Sequence, residues 1–304
     1  MLAGPVATHQ EIETVFARYV SRRIPRGSPE HREQLALQSA KLDKRERAES
    51  QRPHSPWLDM TGARTVDRVV AGYERAWSTV SLGEQLGSAK QAWFEWQDDV
   101  MTARAIGRKH VHQLLLVRAL EQIRPDSVAE VGFGNGFNLL LLAMQFPGVA
   151  LAGVELTRAG VDAARRSSRD PRTTALLEPL AVSTVHRLAA LDQDRLLQGR
   201  GDALPLRAKS VDVAFTTLAL EQMDGVRDQA LRELARIARR YVVMIEPFRD
   251  WNPDGIRRRY IEGQGYFDAR VADLQAAGLN PVLATADFPN KISFHVGLVI
   301  AAVA

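Results

Sequence analysis

The stretch Ala129–Asn138, AEVGFGNGFN, constrains this chain more than any other. An apolar run reaches an acid, Glu130, and glycines then alternate at Gly132, Gly134 and Gly136. Glycine at such a turn lets the backbone take dihedrals closed to other residues and approach a ligand with no Cβ in between. A second run, Val149–Glu155, again ends on a carboxylate. The pattern predicts an α/β sheet that holds an adenosine-bearing molecule beyond the carboxyl ends of its strands.

The spacing excludes two common relatives of that arrangement. In the dinucleotide fingerprint G-x-G-x-x-G the third glycine would fall at Phe137, whereas this chain has G-x-G-x-G. No G-K-[ST] follows, so the turn is not a Walker-type phosphate loop. The chain has 304 residues, enough for one large α/β domain and an added module. It has no cysteine, which removes disulfides, thiolate metal sites and cysteine nucleophiles together and fits a cytoplasmic protein. The N-terminus does not read as a signal peptide, and no apolar run is long enough to cross a bilayer. The net charge of +4 is small, and the densest charged cluster, Lys41–Arg52, alternates in sign as a solvated helix does.

Two regions differ in character. Residues 1–105 read as a helical extension or lid, with helices near His9–Arg23, Pro29–Gln51, Thr65–Ser78 and Ser88–Arg104. Breaks fall at Pro25, Gly27, Pro53, Pro56 and Gly87. Residues 106–304 alternate between helix and strand. Strands are expected at Val128–Val131, Val149–Glu155, Arg195–Gly199, Val211–Thr216 and Tyr241–Ile245, and helices at Phe137–Gln145, Ala159–Arg166 and Asp228–Arg239. Pro281–Phe288 and Ile292–Val303 are joined by too little chain for a parallel crossover and should form an antiparallel hairpin.

Five pieces in order, EVGFGNG at Glu130–Gly136, GVEL at Gly153–Leu156, GDALPL at Gly201–Leu206, SVDVAFTTLALEQM at Ser210–Met223 and ALRELARIARR at Ala230–Arg240, carry a resemblance. Residues 127–246 resemble the class I S-adenosylmethionine-dependent methyltransferases, particularly the broad group called type 11. The resemblance implies a Rossmann-like seven-stranded sheet with a C-terminal antiparallel hairpin and S-adenosylmethionine as cofactor. It also implies roles for particular residues. Gly132, Gly134 and Gly136 would pass under the methionine part of the cofactor, and Glu130 would support that turn or the cofactor's amino group. Glu155 would accept from both ribose hydroxyls, a task for a two-oxygen acceptor. Asp202 would accept from the adenine amine, with Ala203 or Leu204 beside it, and Leu218 would sit near the sulfonium. Gln222 stands where the family often has histidine.

Methyl transfer from a sulfonium needs positioning, desolvation and, for some acceptors, a base. A metal is not required, and His110 and His112 are two apart, which points them to different sides of a helix. Glu221 and Glu246 follow or end strands and are the candidate bases, while His295 reads as a satisfied core histidine. Trp93, Phe94 and Trp96 precede the core; Phe248, Trp251, Tyr260, Tyr266 and Phe267 follow the fifth strand. They read either as packing or as an apolar acceptor pocket over the sulfonium, for which Trp93, Trp96, Trp251, Tyr260 and Tyr266 are the candidates. The first expectation is a small-molecule acceptor methylated on oxygen or nitrogen, with no membrane partner and a homodimer left open. The alternative is an RNA methyltransferase, kept alive by the arginines at 22, 23, 26 and 257–259. That reading lacks the Asn/Asp-Pro-Pro-aromatic motif and the tryptophan-rich acidic motif expected after the fourth strand.

Overall fold

A computed structural model describes residues 4–50, 66–186 and 191–304. The expected breaks at Pro53 and Pro56, and the ends of the expected helices at Gln51 and Thr65, lie outside the described residues. Along the first part of the chain run α1 (His9–Ala17), β1 (Val20–Pro25), α2 (Pro29–Ser50), α3 (Val66–Thr79), α4 (Leu82–Gly87), β2 (Gln91–Trp96) and β3 (Asp99–Arg104). Then follow α5 (Ile106–Ile123), β4 (Ser127–Val131), α6 (Phe137–Gln145), β5 (Ala150–Glu155), α7 (Arg158–Arg169), α8 (Thr173–Leu177) and β6 (Leu196–Gln198). The last part holds β7 (Val211–Thr217), α9 (Arg227–Ile237), β8 (Ala238–Glu246), α10 (Gly255–Gln264), β9 (Leu279–Thr285), β10 (Asn290–Lys291) and β11 (Gly297–Val303).

The main sheet has seven strands in the order β6-β5-β4-β7-β8-β11-β9. β4 to β8 are parallel to one another, and β11 runs antiparallel to both of its neighbours. Period-2 alternation builds the core on both faces. Val128, Val213, Phe215, Val243, Ile245 and Leu298 face α5 and α6 on one side. Ala129, Ala214, Val242, Met244 and Val299 face α9 on the other. The order reverses at β4, which has β5 on one side and β7 on the other, so a crevice opens at the carboxyl ends of these strands.

The first 105 residues differ from the all-helical expectation. The helix expected over Ser88–Arg104 is a hairpin, β2–β3, turning at Gln97 with φ +52°. The helix expected over His9–Arg23 ends at Ala17, and the chain turns into β1, which pairs with β3. The physical reason is partnership. Phe94, Trp96, Val100, Met101 and Ala103 are buried only once the strands pair, and short apolar runs have no decisive period of their own. The terminal hairpin also differs in detail. β9 and β11 pair as expected, but the link between them runs over 286–296 and lends β10 to β2, which completes a four-stranded sheet β1-β3-β2-β10.

Candidate functional site

The crevice holds a cavity of about 280 Å³ bordered by Gly132, Gly134, Glu130, Glu155, Leu218 and Glu221, with a side lobe of about 60 Å³ at Gly201, Asp202 and Met223. Gly132 continues the strand, its amide donating to the Val154 carbonyl at 2.7 Å, and turns sharply at φ +80°. A Cβ there would lie 2.4 Å from that of Ala219, so neither the dihedral nor the space admits another residue. Gly134, at φ +55°, lies directly under the Trp77 indole, 2.7 Å from where a Cβ would stand. Gly136 opens α6 as its N-cap.

Glu155 ties this turn to the next helix. One oxygen accepts from the Gly134 amide at 2.9 Å, and the other accepts from the Thr157 amide and hydroxyl at 3.0 and 2.6 Å. Thr157 in turn caps α7. Glu130 is fully buried, and its Oε1 accepts from Asn138 at 2.7 Å, while Oε2 has no partner among the described residues. Burial pushes its carboxyl up to about 8 against the pull of Asn138, with Glu155 adding to the rise and Lys109 opposing it. Asp202 is held by Arg200 through bonds of 2.9 and 2.7 Å, which lower its pKa, and Ala203 is exposed beside it. Leu218 adopts φ +53°, its amide donating to the Ile245 carbonyl at 3.0 Å.

The two candidate bases are placed differently. Glu246 is wholly buried and accepts from the amides of Ala219, Leu220 and Glu221 at 2.9, 3.1 and 3.3 Å. Burial and the Glu221 charge raise its pKa to about 8, against those donors. It therefore braces the turn after β7, and it is Glu221 that borders the cavity. His295 is bonded to Glu95 at 2.8 Å and precedes β11 instead of lying in it.

The aromatic residues over the cavity are not the expected ones. Trp93 stands in β2; Trp96 donates to Asp287 at 2.8 Å; Trp251 packs on Gly297; none of the three borders the cavity. Tyr260 stacks on Phe294, centroids 5.1 Å apart, with Tyr266 edge-on to the same ring. The roof is instead α3, whose Val69, Tyr73 and Trp77 form a stripe four residues apart, with Tyr73 and Trp77 stacked at 5.9 Å. Glu74, on the same helix, accepts from the Arg158 and Ala159 amides at 2.7 and 3.1 Å and so docks α3 on the N-terminus of α7. From α5, Lys109 and His112 complete the wall. The 69-73-77 spacing was the available signal for α3; nothing in the sequence marked the α5 pair. A larger hollow of about 560 Å³ lies behind Trp77, between the α3–α4 link and α7–α8, and no strand-end carboxylate reaches it.

The residues present fit S-adenosylmethionine. The glycine turn leaves room where any Cβ would intrude, Glu130 Oε2 and Trp77 Nε1 are buried polar atoms without partners among the described residues, and the Glu155 carboxylate borders the cavity. Among the described residues no helix is long and apolar enough to cross a membrane, and no cluster of acidic and histidine side chains has metal-site geometry.

A family model described as a methyltransferase domain matches residues 129–245, less than half of the chain. No curated protein matches. Among solved structures, the [4+2]-cyclase SpnF superposes with a TM-score of 0.52 at 15% identity, covering 79% of this chain and 97% of that one. Geranyl diphosphate C-methyltransferase from Streptomyces coelicolor A3(2) gives 0.47 at 13% identity over 83% and 100% of the two chains. Magnesium protoporphyrin IX methyltransferase from Synechocystis PCC 6803 gives 0.45 at 14% over 66% and 88%. At such identities the likeness is one of fold. Residues 129–245 match the family model of a methyltransferase domain, and they hold the five ordered motifs and the glycine turn within the sheet that β11 and β9 complete.

Proposed function

We propose that the protein methylates an oxygen or nitrogen of a small molecule. The observation that carries this reading is the aromatic roof over the cavity. Tyr73 and Trp77 cover it, and α3 is pinned to α7 through Glu74, so an acceptor meets a cavity covered on that side by α3. The arginines that favoured RNA support the same conclusion. Arg22 pairs with Glu30, Arg23 with Glu13 and Asp99, Arg26 and Arg257 with Glu95, Arg258 with Asp268, and Arg259 with Asp43 and Glu46. A phosphate-binding stripe keeps its charges free of such partners.

The roles follow from placement. Glu155 takes the ribose hydroxyls, Asp202 and Ala203 meet the adenine edge, and Glu130 Oε2 receives the methionine ammonium. Lys109 and the Trp77 Nε1–H face the methionine carboxylate, and Leu218 packs near the sulfonium. The cofactor supplies a methyl group on a sulfonium, so the acceptor's lone pair forms the new bond as the carbon–sulfur bond breaks and its electron pair stays on sulfur. The protein aligns the acceptor, excludes water beneath α3 and receives the acceptor's proton, a role we assign to Glu221 because it borders the cavity. The domain division at residue 105 is one of function in this reading: α3 closes the chamber that the core builds.

The test is incubation with methyl-labelled cofactor and a cell extract separated into RNA and small-molecule fractions. Label confined to small molecules supports the reading, and label in RNA overturns it. Calorimetry with S-adenosylmethionine that shows no binding would remove both alternatives.

A further inference from the structure

Behind the cavity wall formed by Lys109 and His112 lies more positive charge than the methyl donor accounts for. Arg108 and His112 stand one turn apart on α5, with Lys109 between them. Lys291 of β10 reaches the same place from the other sheet. The Arg108 guanidinium and the Lys291 ammonium both lie over the Phe294 ring, 5.3 and 5.9 Å from its centroid. Arg108 Nη1 and His112 Nε2 are shielded from solvent and have no hydrogen-bond partner among the described residues. Among the described residues neither Arg108 nor Lys291 makes an ion pair. The carboxylate that acts on both is Glu221, at the cavity edge. Repulsion by Arg108, together with burial, pulls the Lys291 ammonium down to about 7, and burial lowers Arg108 as well. Cations crowded together with an unbonded buried donor cost stability unless something else is bound between them.

The surroundings define its shape. Phe294 and Tyr260 stack within 3° of parallel, and Tyr266 stands edge-on, so the charges adjoin an aromatic cluster packed on itself. A guanidinium edge and an ammonium match the two oxygens of a carboxylate.

We propose that Arg108 and Lys291, together with His112, form an anion subsite that binds the carboxylate of the acceptor, so that the molecule methylated is an organic acid. The assignment rests on the methyltransferase reading for the word acceptor, but the subsite itself can be tested without the methyl donor.

Calorimetry with benzoate, benzamide and phenyl phosphate, with and without S-adenosylhomocysteine, tests it. Benzoate is expected to bind about tenfold or more tightly than benzamide, the worth of one good charged contact. Arg108→Gln and Lys291→Gln should each erase most of that preference, Arg108→Lys should keep part of it, and S-adenosylhomocysteine affinity should not change. Both glutamine variants should melt no lower than the unsubstituted protein, because each relieves like-charge repulsion; Lys291→Gln, on the rim strand β10, carries the comparison by itself should Arg108→Gln fold poorly. No benzoate binding, equal binding of benzoate and benzamide, or a preference that survives both substitutions would overturn the subsite. Tighter binding of phenyl phosphate than benzoate would overturn the carboxylate assignment. Failure of S-adenosylhomocysteine to bind, with the benzoate preference intact, would strike the methyltransferase reading alone.

Discussion

At the glycine edge of the main sheet, two buried acids, Glu155 and Glu246, are held by backbone close along the chain. Glu155 bonds the Gly134 amide across 21 positions, and Glu246 bonds the Ala219 amide across 27. In the small sheet the buried acid is Glu95, and its partners are side chains from distant segments: Arg257 at 2.6 Å across 162 positions and His295 at 2.8 Å across 200. Backbone amides come into place with the strands and turns that carry them. Long side chains do so only after the two ends of the chain have met, and they lose rotamer freedom on pairing. The donor side of the molecule is therefore set by secondary structure, and the opposite side by tertiary assembly. Substitutions that strike Glu95 should loosen the second without first disturbing the first.

The largest expected effect is that of Glu95→Ala. It strands Arg257 and His295 around a buried void and should cost about 3–5 kcal/mol in denaturant unfolding, as broken buried pairs do. Cofactor affinity measured below the transition should hardly change; a parallel loss of both would show the two regions to be one unit.

Acid should produce a somewhat smaller effect at the same residue. Burial raises the Glu95 carboxyl, but the His295 bond and the Arg257 charge outweigh it and pull the carboxyl to about 2 from 4.5. Below 4.5 the unfolded chain takes up a proton that the folded protein refuses. Its contribution is thus complete above that pH and is lost as pH falls toward 2, by up to about 3 kcal/mol. Glu95→Gln should flatten the stability curve across that window, and an unchanged slope would show that other carboxylates carry it.

Gly134→Val comes next. A side chain at φ +55° with the Trp77 ring 2.7 Å away costs about 1–3 kcal/mol. Here the comparison reverses: calorimetry should show cofactor binding lost while the Glu95 cluster and its acid response persist. The smallest effect belongs to Glu74→Gln, which weakens a charge at a helix N-terminus by under about 1 kcal/mol. Hydrogen exchange over Val66–Thr79 should quicken while the rest of the protein keeps its protection. Unchanged exchange would mean that α3 is held by its apolar stripe alone.

Much of the donor side was legible in the sequence because its signals are local. Strand ends, glycines and acids fall within short motifs, and their spacing alone rejected the dinucleotide and phosphate-loop alternatives. Trp93 and Trp96 show where that stops. Their aromatic run suits a helix or a strand, and only pairing with Asp99–Arg104 decides between them. Glu246 reads as a cleft carboxylate by position, yet three amides turn it inward. Tyr73 and Trp77 had a helical spacing that revealed a face but not what it would cover.

The sequence by itself determined the seven-stranded scaffold, the glycine turn and the acids around it, because each depends on residues close together in the chain and on the fixed periods of helix and strand. The tertiary structure decided what roofs the chamber and which charges gather behind its α5 wall. Lys291 meets Arg108 over Phe294, β10 joins β2, and α3 settles on α7. Those contacts join segments whose separation along the chain leaves no periodic trace, and their energy exists only once the main sheet has brought them together.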